Sequence, residues 1–206
     1  FTTGSYNTVR AAIDLDGKLS RDGKLLYRLN TAYQTRDTYN KFNYNDRYII
    51  APVISYQIDS NTVITAEYTH QHVEALGLGN YTFSKKGFGD VGPNFFLGDP
   101  ALDPRIIKDH NAFLYFAHRI NENWKLNAQI AYFNYSLGGG GTVWVTSIDS
   151  VGNMRRNYNI GDELAINKTG QLTLQGEERT GSVLHRILGG IDMGNLKTWG
   201  DFSSTT

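Results

Sequence analysis

Between Tyr6 and Leu19 apolar and polar positions alternate: Val9, Ala11, Ile13, Leu15 and Leu19 hold odd positions, while Thr8, Arg10, Asp14, Asp16 and Lys18 hold even ones. A period of two belongs to a strand whose faces meet different surroundings. Ser20-Arg21-Asp22-Gly23 supplies turn chemistry, because Asp-Gly accepts the positive φ of a tight hairpin. A second strand follows, with Leu25, Tyr27, Leu29, Thr31 and Tyr33 against Arg28, Asn30, Gln34 and Arg36. The unit recurs in Tyr48 to Ile58, which turns at Asp59-Ser60-Asn61 into Val63 to Glu74. It returns in Asp109 to Ile120, which turns at Asn121-Glu122-Asn123 into Trp124 to Tyr132. A less regular pair flanks Thr180-Gly181, with Leu164, Ile166, Leu172 and Leu174 before it and Val183, Ile187 and Ile191 after it. The pattern predicts about eight strands, longer than the soluble mean of about five or six residues. Pro52 inside a strand removes one ladder donor and predicts a bulge.

The predicted connections are unequal. Those after the first, third, fifth and seventh strands are tight; the others are long, covering roughly Thr38 to Asp46, Leu76 to Ile107 and Leu137 to Asn159. Up-and-down antiparallel strands with tight turns at one end and long loops at the other are the layout of an outer-membrane barrel. A soluble sandwich more often has shorter strands and no such asymmetry.

Composition narrows the function classes. The 206 residues include 22 Gly and no Cys, which removes disulfide scaffolds, thiolate metal sites and thiol catalysis. Twenty Lys and Arg balance twenty Asp and Glu, so the basic field that recruits nucleic acid is missing. Mean hydropathy is -0.41 and no run of apolar residues is long enough for a spanning helix. Barrel strands, apolar only at alternate positions, remain compatible with that value. The N-terminus has no charged start followed by an apolar stretch, so a signal peptide is expected to be already removed or outside this sequence.

Asp14 to Leu19 at the first turn, Tyr27-Arg28-Leu29, Arg47 to Pro52, Thr62 to Tyr68, and Thr180 to Asp192, which carries Thr-Gly-x-x-x-His and a later Gly-x-Asp, together resemble the barrel of TonB-dependent siderophore receptors. Trp124-Lys125-Leu126 looks like the next ascending strand of that family. The resemblance covers nearly the whole chain. It implies an all-β fold, an up-and-down antiparallel transmembrane barrel, with residues 1–206 forming a partial barrel domain from the N-terminal part of that barrel. The plug that contacts TonB and the later strands are expected to lie outside this sequence, and the sheet is expected not to close. It further implies residence in the outer membrane of a Gram-negative bacterium, among its lipids, and import of a ferric siderophore. The iron would be cargo, with no resident cofactor, and the TonB complex would act through the plug. No enzymatic activity is implied. A complete eight-stranded barrel with an adhesion or structural role is the alternative, and an enzymatic barrel a third reading.

The remaining motifs carry less. Gly87 to Gly92 matches the letters of a dinucleotide cradle but Pro93 follows where a helix must start. Gly138 to Gly141 precedes no helix and reads as a flexible loop tip. His70 and His72 share one strand face, with Glu74 next in the row; a shared metal is conceivable, but polar residues near the outer end of a strand are expected anyway. His110, His118 and His185 fall on different predicted strands without a nucleophile elbow, so no catalytic residue is assigned. Aromatic residues of the long loops are the candidate ligand contacts: Tyr81, Phe83, Tyr135 and Trp144, which the resemblance places in a vestibule that holds a bulky chelate. Girdle or inter-loop packing is the competing role for each.

Overall fold

The computed structural model describes residues 1–78, 84, 86–87 and 89–205. They form one eleven-stranded sheet without a helix. Eight strands are long: β2 (Thr8–Lys18), β3 (Leu25–Thr35), β4 (Asn45–Gln57), β5 (Thr62–Ala75), β7 (Arg105–Arg119), β8 (Trp124–Gly139), β10 (Met154–Thr180) and β11 (Val183–Thr205). Three short ones are added: β1 (Thr2–Gly4), β6 (Gly77–Leu78) and β9 (Thr142–Ile148). The long strands pair antiparallel with their sequence neighbours, β2-β3-β4-β5-β7-β8-β10, and β11 lies on the far side of β10. No pairing joins β2 to β11, so the sheet is open among the described residues, as the sequence predicts.

The turns at 19–24, 58–61, 120–123 and 181–182 gather at one end, and the long connections at the other. Side-chain chemistry explains the tight ones. Asp22 Oδ1 accepts from Ser20 Oγ and from the Lys24 amide while Gly23 takes φ 72°. Asp59 Oδ1 and Asn121 Oδ1 receive the Asn61 and Asn123 amides in the same way.

Cross-strand partners share a face, so the register sorts every side chain. Leu15, Leu29, Tyr33, Ile50, Ile54, Tyr56, Leu114, Leu126 and Ile130 fall on one face; Arg10, Arg28, Asn127 and Gln129 fall on the other, with Arg36 just beyond β3. Burial distinguishes the two. Ile130 on the first face is 62% exposed and its neighbour Ala131 on the second 1%, which makes the apolar face convex and the polar face concave. On the concave face Arg28 grips Asp14 with two bonds, Nε to Oδ1 at 2.9 Å and Nη2 to Oδ2 at 2.6 Å. The convex apolar stripe runs from Tyr56 to Tyr48 on β4, about 27 Å at ~3.4 Å per residue, the scale of the apolar band of a membrane barrel. Tyr56, Phe116 and Trp124 mark its lower edge, and Tyr33, Tyr48, Tyr68 and Tyr132 its upper edge.

Three local expectations change. Pro52 makes no bulge: β3 pairs with it in unbroken register, and the β4–β5 ladder merely skips Ala51 and Pro52 before resuming in phase. The long connection predicted over Leu137 to Asn159 contains the end of β8, all of β9 and the start of β10. The polar run Met154 to Asn159 hides a strand because its sides are not divided into wet and apolar at that height. Finally, Gly138 to Gly141 is a packed junction rather than a loose tip. Here β8 bends into β9, Gly139 takes φ 86°, and a Cβ on Gly140 or Gly141 would run into the Asp103 or Asn159 carbonyl. Above the start of β7, the extensions of its two neighbours meet directly, and β6 pairs with β9 in parallel.

Two outcomes follow. Ile130→Arg, at mid-depth on the convex face, is expected to cost about 2–4 kcal/mol in vesicle-based unfolding, against near-neutrality for Gln129→Arg beside it. Equal costs would refute the facing. Gly140→Ala should lower thermal stability measurably in detergent while Gly170→Ala, whose new methyl meets nothing within 4 Å, should not.

Candidate functional site

The long-loop end of the concave face holds a cleft of about 750 Å³. Its walls include Arg105, Trp144, Asn159, Glu163 and Phe202. Each is placed by the ladder. Arg105 begins β7 opposite Gly139, Trp144 lies opposite Asn157, and Phe202 on β11 lies across from Gly161. Glycine at 161 leaves the space that the Phe202 ring occupies, since a Cβ there would come within 2.9 Å of it. Arg105 braces the floor: its Nη1 donates to Thr142 Oγ1 at 2.6 Å and Nη2 to the Gly161 carbonyl at 3.4 Å, while Nε is buried without a partner among the described residues. Trp144 is 41% exposed, leaving part of its indole face open. The arrangement combines a cation, a carboxylate and two aromatic faces, which suits a bulky ligand with both polar and apolar parts.

The loops above are packed on one another. Arg156 on β10 donates through Nη1 to the Gly98 carbonyl at 2.5 Å, with Asp99 Oδ2 3.9 Å from Nη2. Phe96 is buried edge-on against Phe42 at 6.0 Å, and the Lys41 amide donates to the Asn94 carbonyl. The connection 36–44 and the described residues 92–99 thus pack on one another and on β10.

Of the four candidate contacts, Tyr81 and Phe83 lie outside the described residues, as does Phe88. Trp144 lines the cleft. Tyr135, half-buried on the concave face between Asp109 and Ala165, is at the same end but is not part of that wall. Arg105, Glu163, Asn159 and Phe202 were not singled out from sequence; register alone brings them together, and no local motif marks them. His70 and His72 do not converge on a common point: the Tyr48 ring stacks on His72 at 5.1 Å and its hydroxyl lies 3.2 Å from His70 Nε2.

At the rim, Tyr44 donates its hydroxyl to Glu74 Oε1 at 2.9 Å. Burial, then that bond and the charges of Glu74 and Asp46, push the phenol from 10.0 up to about 12. A raised folded value favours the protonated phenol, so the contact is fully present below the unfolded value and is lost as pH rises from about 10 through 12. The difference between the tyrosinate absorbance titrations of the protein and Tyr44→Phe should be centred near 12. A difference curve centred at 10 would show the bond to be absent.

No family model matches the chain. It is 28% identical over 200 residues to the metal-pseudopaline receptor CntO of Pseudomonas aeruginosa, covering 93% of this chain and 27% of that protein. Its fold matches FpvA of P. aeruginosa, solved with ferric pyoverdine, at a TM-score of 0.88 and 14% identity over 97% of this chain and 27% of that one. It matches the siderophore receptor PiuA of Acinetobacter baumannii at 0.80 and 19% identity, over 96% and 30% of the two chains. The ferric-catecholate import receptor Fiu of E. coli gives 0.79 and 20%, over 95% and 33%. The chain therefore spans about a quarter to a third of the length of the proteins it matches. These are TonB-dependent outer-membrane receptors of Gram-negative bacteria, so the resemblance, the open barrel sheet and the outer-membrane location read from the sequence all hold.

Proposed function

We propose that this chain is part of the barrel wall of a TonB-dependent receptor that binds a ferric siderophore outside the cell and imports it. The carrying observation is the cleft at the loop end of the concave face, where Trp144 and Phe202 flank Arg105 and Glu163. A ferric chelate is bulky, partly aromatic or aliphatic, and charged; aromatic faces beside a cation complement it. The names of the similar proteins agree in kind: they bind a metal with its chelator, as pyoverdine-iron, ferric catecholate or metal-pseudopaline. In this reading Trp144 and Tyr135, together with Tyr81 and Phe83, meet the chelate, and TonB acts through a plug carried by the remainder of the receptor. The iron arrives and leaves with its chelator, and no bond of the chelator is made or broken by the chain. The open sheet disfavours the small closed barrel, whose first and last strands would have to pair.

The test uses the intact receptor that carries this segment. Trp144→Ala is expected to weaken ferric-siderophore binding by about 3–10-fold, the range of one aromatic contact, with the barrel still resistant to unfolding in detergent. Combined Ala substitutions at Tyr81, Phe83, Tyr135 and Trp144 should weaken it further. Unchanged affinity in the combined variant, or restoration of growth only by a non-ferric chelate, would remove the ferric-siderophore assignment.

A further inference from the structure

On the convex face, at the upper edge of the apolar band, β5 and β7 carry three imidazoles and an ammonium in a block of four. His70 lies across the ladder from His110, and His72 from Lys108. The His70 and His110 rings stack at 4.2 Å and 21°. Tyrosines hold three of the rings in place. Tyr48 stacks on His72, and the Tyr68 hydroxyl lies 2.7 Å from His110 Nδ1. His70 Nδ1 is 3.1 Å from the Asp109 carbonyl, so it carries the proton, and its Nε2 accepts from Tyr48. What remains without a partner among the described residues is the His72 nitrogens, His110 Nε2 and Lys108 Nζ.

The surroundings select what these donors would meet. Toward β4 the block faces Ile50 and Tyr48, and toward β8 it faces Asn134 and Ser136. The carboxylates on the same face, Glu74, Asp46 and, beyond β8, Asp162, stand one step nearer the loops, and Glu74 is taken by Tyr44. No carboxylate pairs with Lys108 among the described residues. Stacked imidazoles present faces to each other rather than lone pairs to a common centre, and no group of three ligating side chains among the described residues could hold a metal. Below the block come Tyr68 and Ala112, and then Ala66, Leu114 and Ile54 in the apolar band. A cationic, tyrosine-framed patch directly above a lipid-facing surface is complementary to an anion attached to hydrocarbon.

We propose that His72, His110 and Lys108 bind the phosphate headgroup of a phosphorylated lipid in the outer leaflet, its acyl chains lying over Leu114 and Ile54. The leaflet follows from position, since the block is at the long-loop end, away from the tight turns. The proposal rests on the membrane-barrel reading but not on the identity of any imported chelate, because these residues are on the opposite face from the cleft.

The intact receptor in detergent is offered bisphosphorylated lipid A or the same lipid stripped of phosphate, and retention is read by native mass spectrometry. The phosphorylated form is expected to be retained about tenfold better, and His72→Gln with Lys108→Gln should bring the ratio to about one, whereas Lys108→Arg should preserve it. Equal retention of both lipids by the unaltered receptor overturns the proposal, as does an undiminished ratio in the double variant. Displacement of the lipid by millimolar inorganic phosphate alone also overturns it, since the site would then be one for a free anion. Growth on the ferric siderophore reads the other face and is expected to be unchanged in these variants, so the two readings fail separately.

Discussion

A strand that crosses hydrocarbon has no water to satisfy its amides, so each must find a partner in the next strand. That requirement is visible along the whole sheet: long strands in sequence order, antiparallel, with ladders running from turn to loop. It also fixes the sidedness. Once the ladder sets the register, alternation hands one face to lipid and the other to water, and a slip of one residue would reverse every side chain. The polar concave wall, the apolar convex stripe and the bounding tyrosines are consequences of the same backbone demand.

Where the ladder weakens, compensation is local. The sheet loses two pairs beside Pro52 on the β5 side alone, keeping the β3 side intact, so the strand survives with its register unshifted. Glycines within strands leave gaps that aromatic rings from the neighbouring strand close. Tyr27 lies beside Gly17, and Trp124 lies over Gly176 with its Nε1 donating to Glu178 at 2.5 Å. Such rings replace the missing side-chain packing that makes strand glycine costly.

Much of this was legible in the sequence because lipid imposes a strict binary pattern. Leu15, Leu29 and Ile54 against Arg10 and Arg28 report the faces, and Asp-Gly or Asp-Ser-Asn reports the turns. Legibility fades where the constraint does. Above the apolar band both faces can be wet, so Met154 to Asn159 pairs as a strand without alternating. The glycines at 138–141 read as slack because sequence does not disclose that Asp103 and Asn159 press against them. The cleft is harder still: Arg105, Glu163 and Phe202 are separated by many residues along the chain and become neighbours only through strand register, while Trp144 was found through its residue type and its place beyond a strand.

The parallel contact of β6 with β9 has a consequence for how such a surface can be altered. It ties the entry of one long connection to the entry of another, with Gly77 so close to Gly141 that a Cβ there would lie 2.5 Å from the Gly141 carbonyl. The two connections therefore form one unit of exchange. Grafting residues 76–104 from a related protein without the segment from 140 to 153 would leave the incoming loop without its seat, whereas transplanting both would carry the junction along. Variation between related proteins in this region should accordingly come as paired changes rather than as independent insertions.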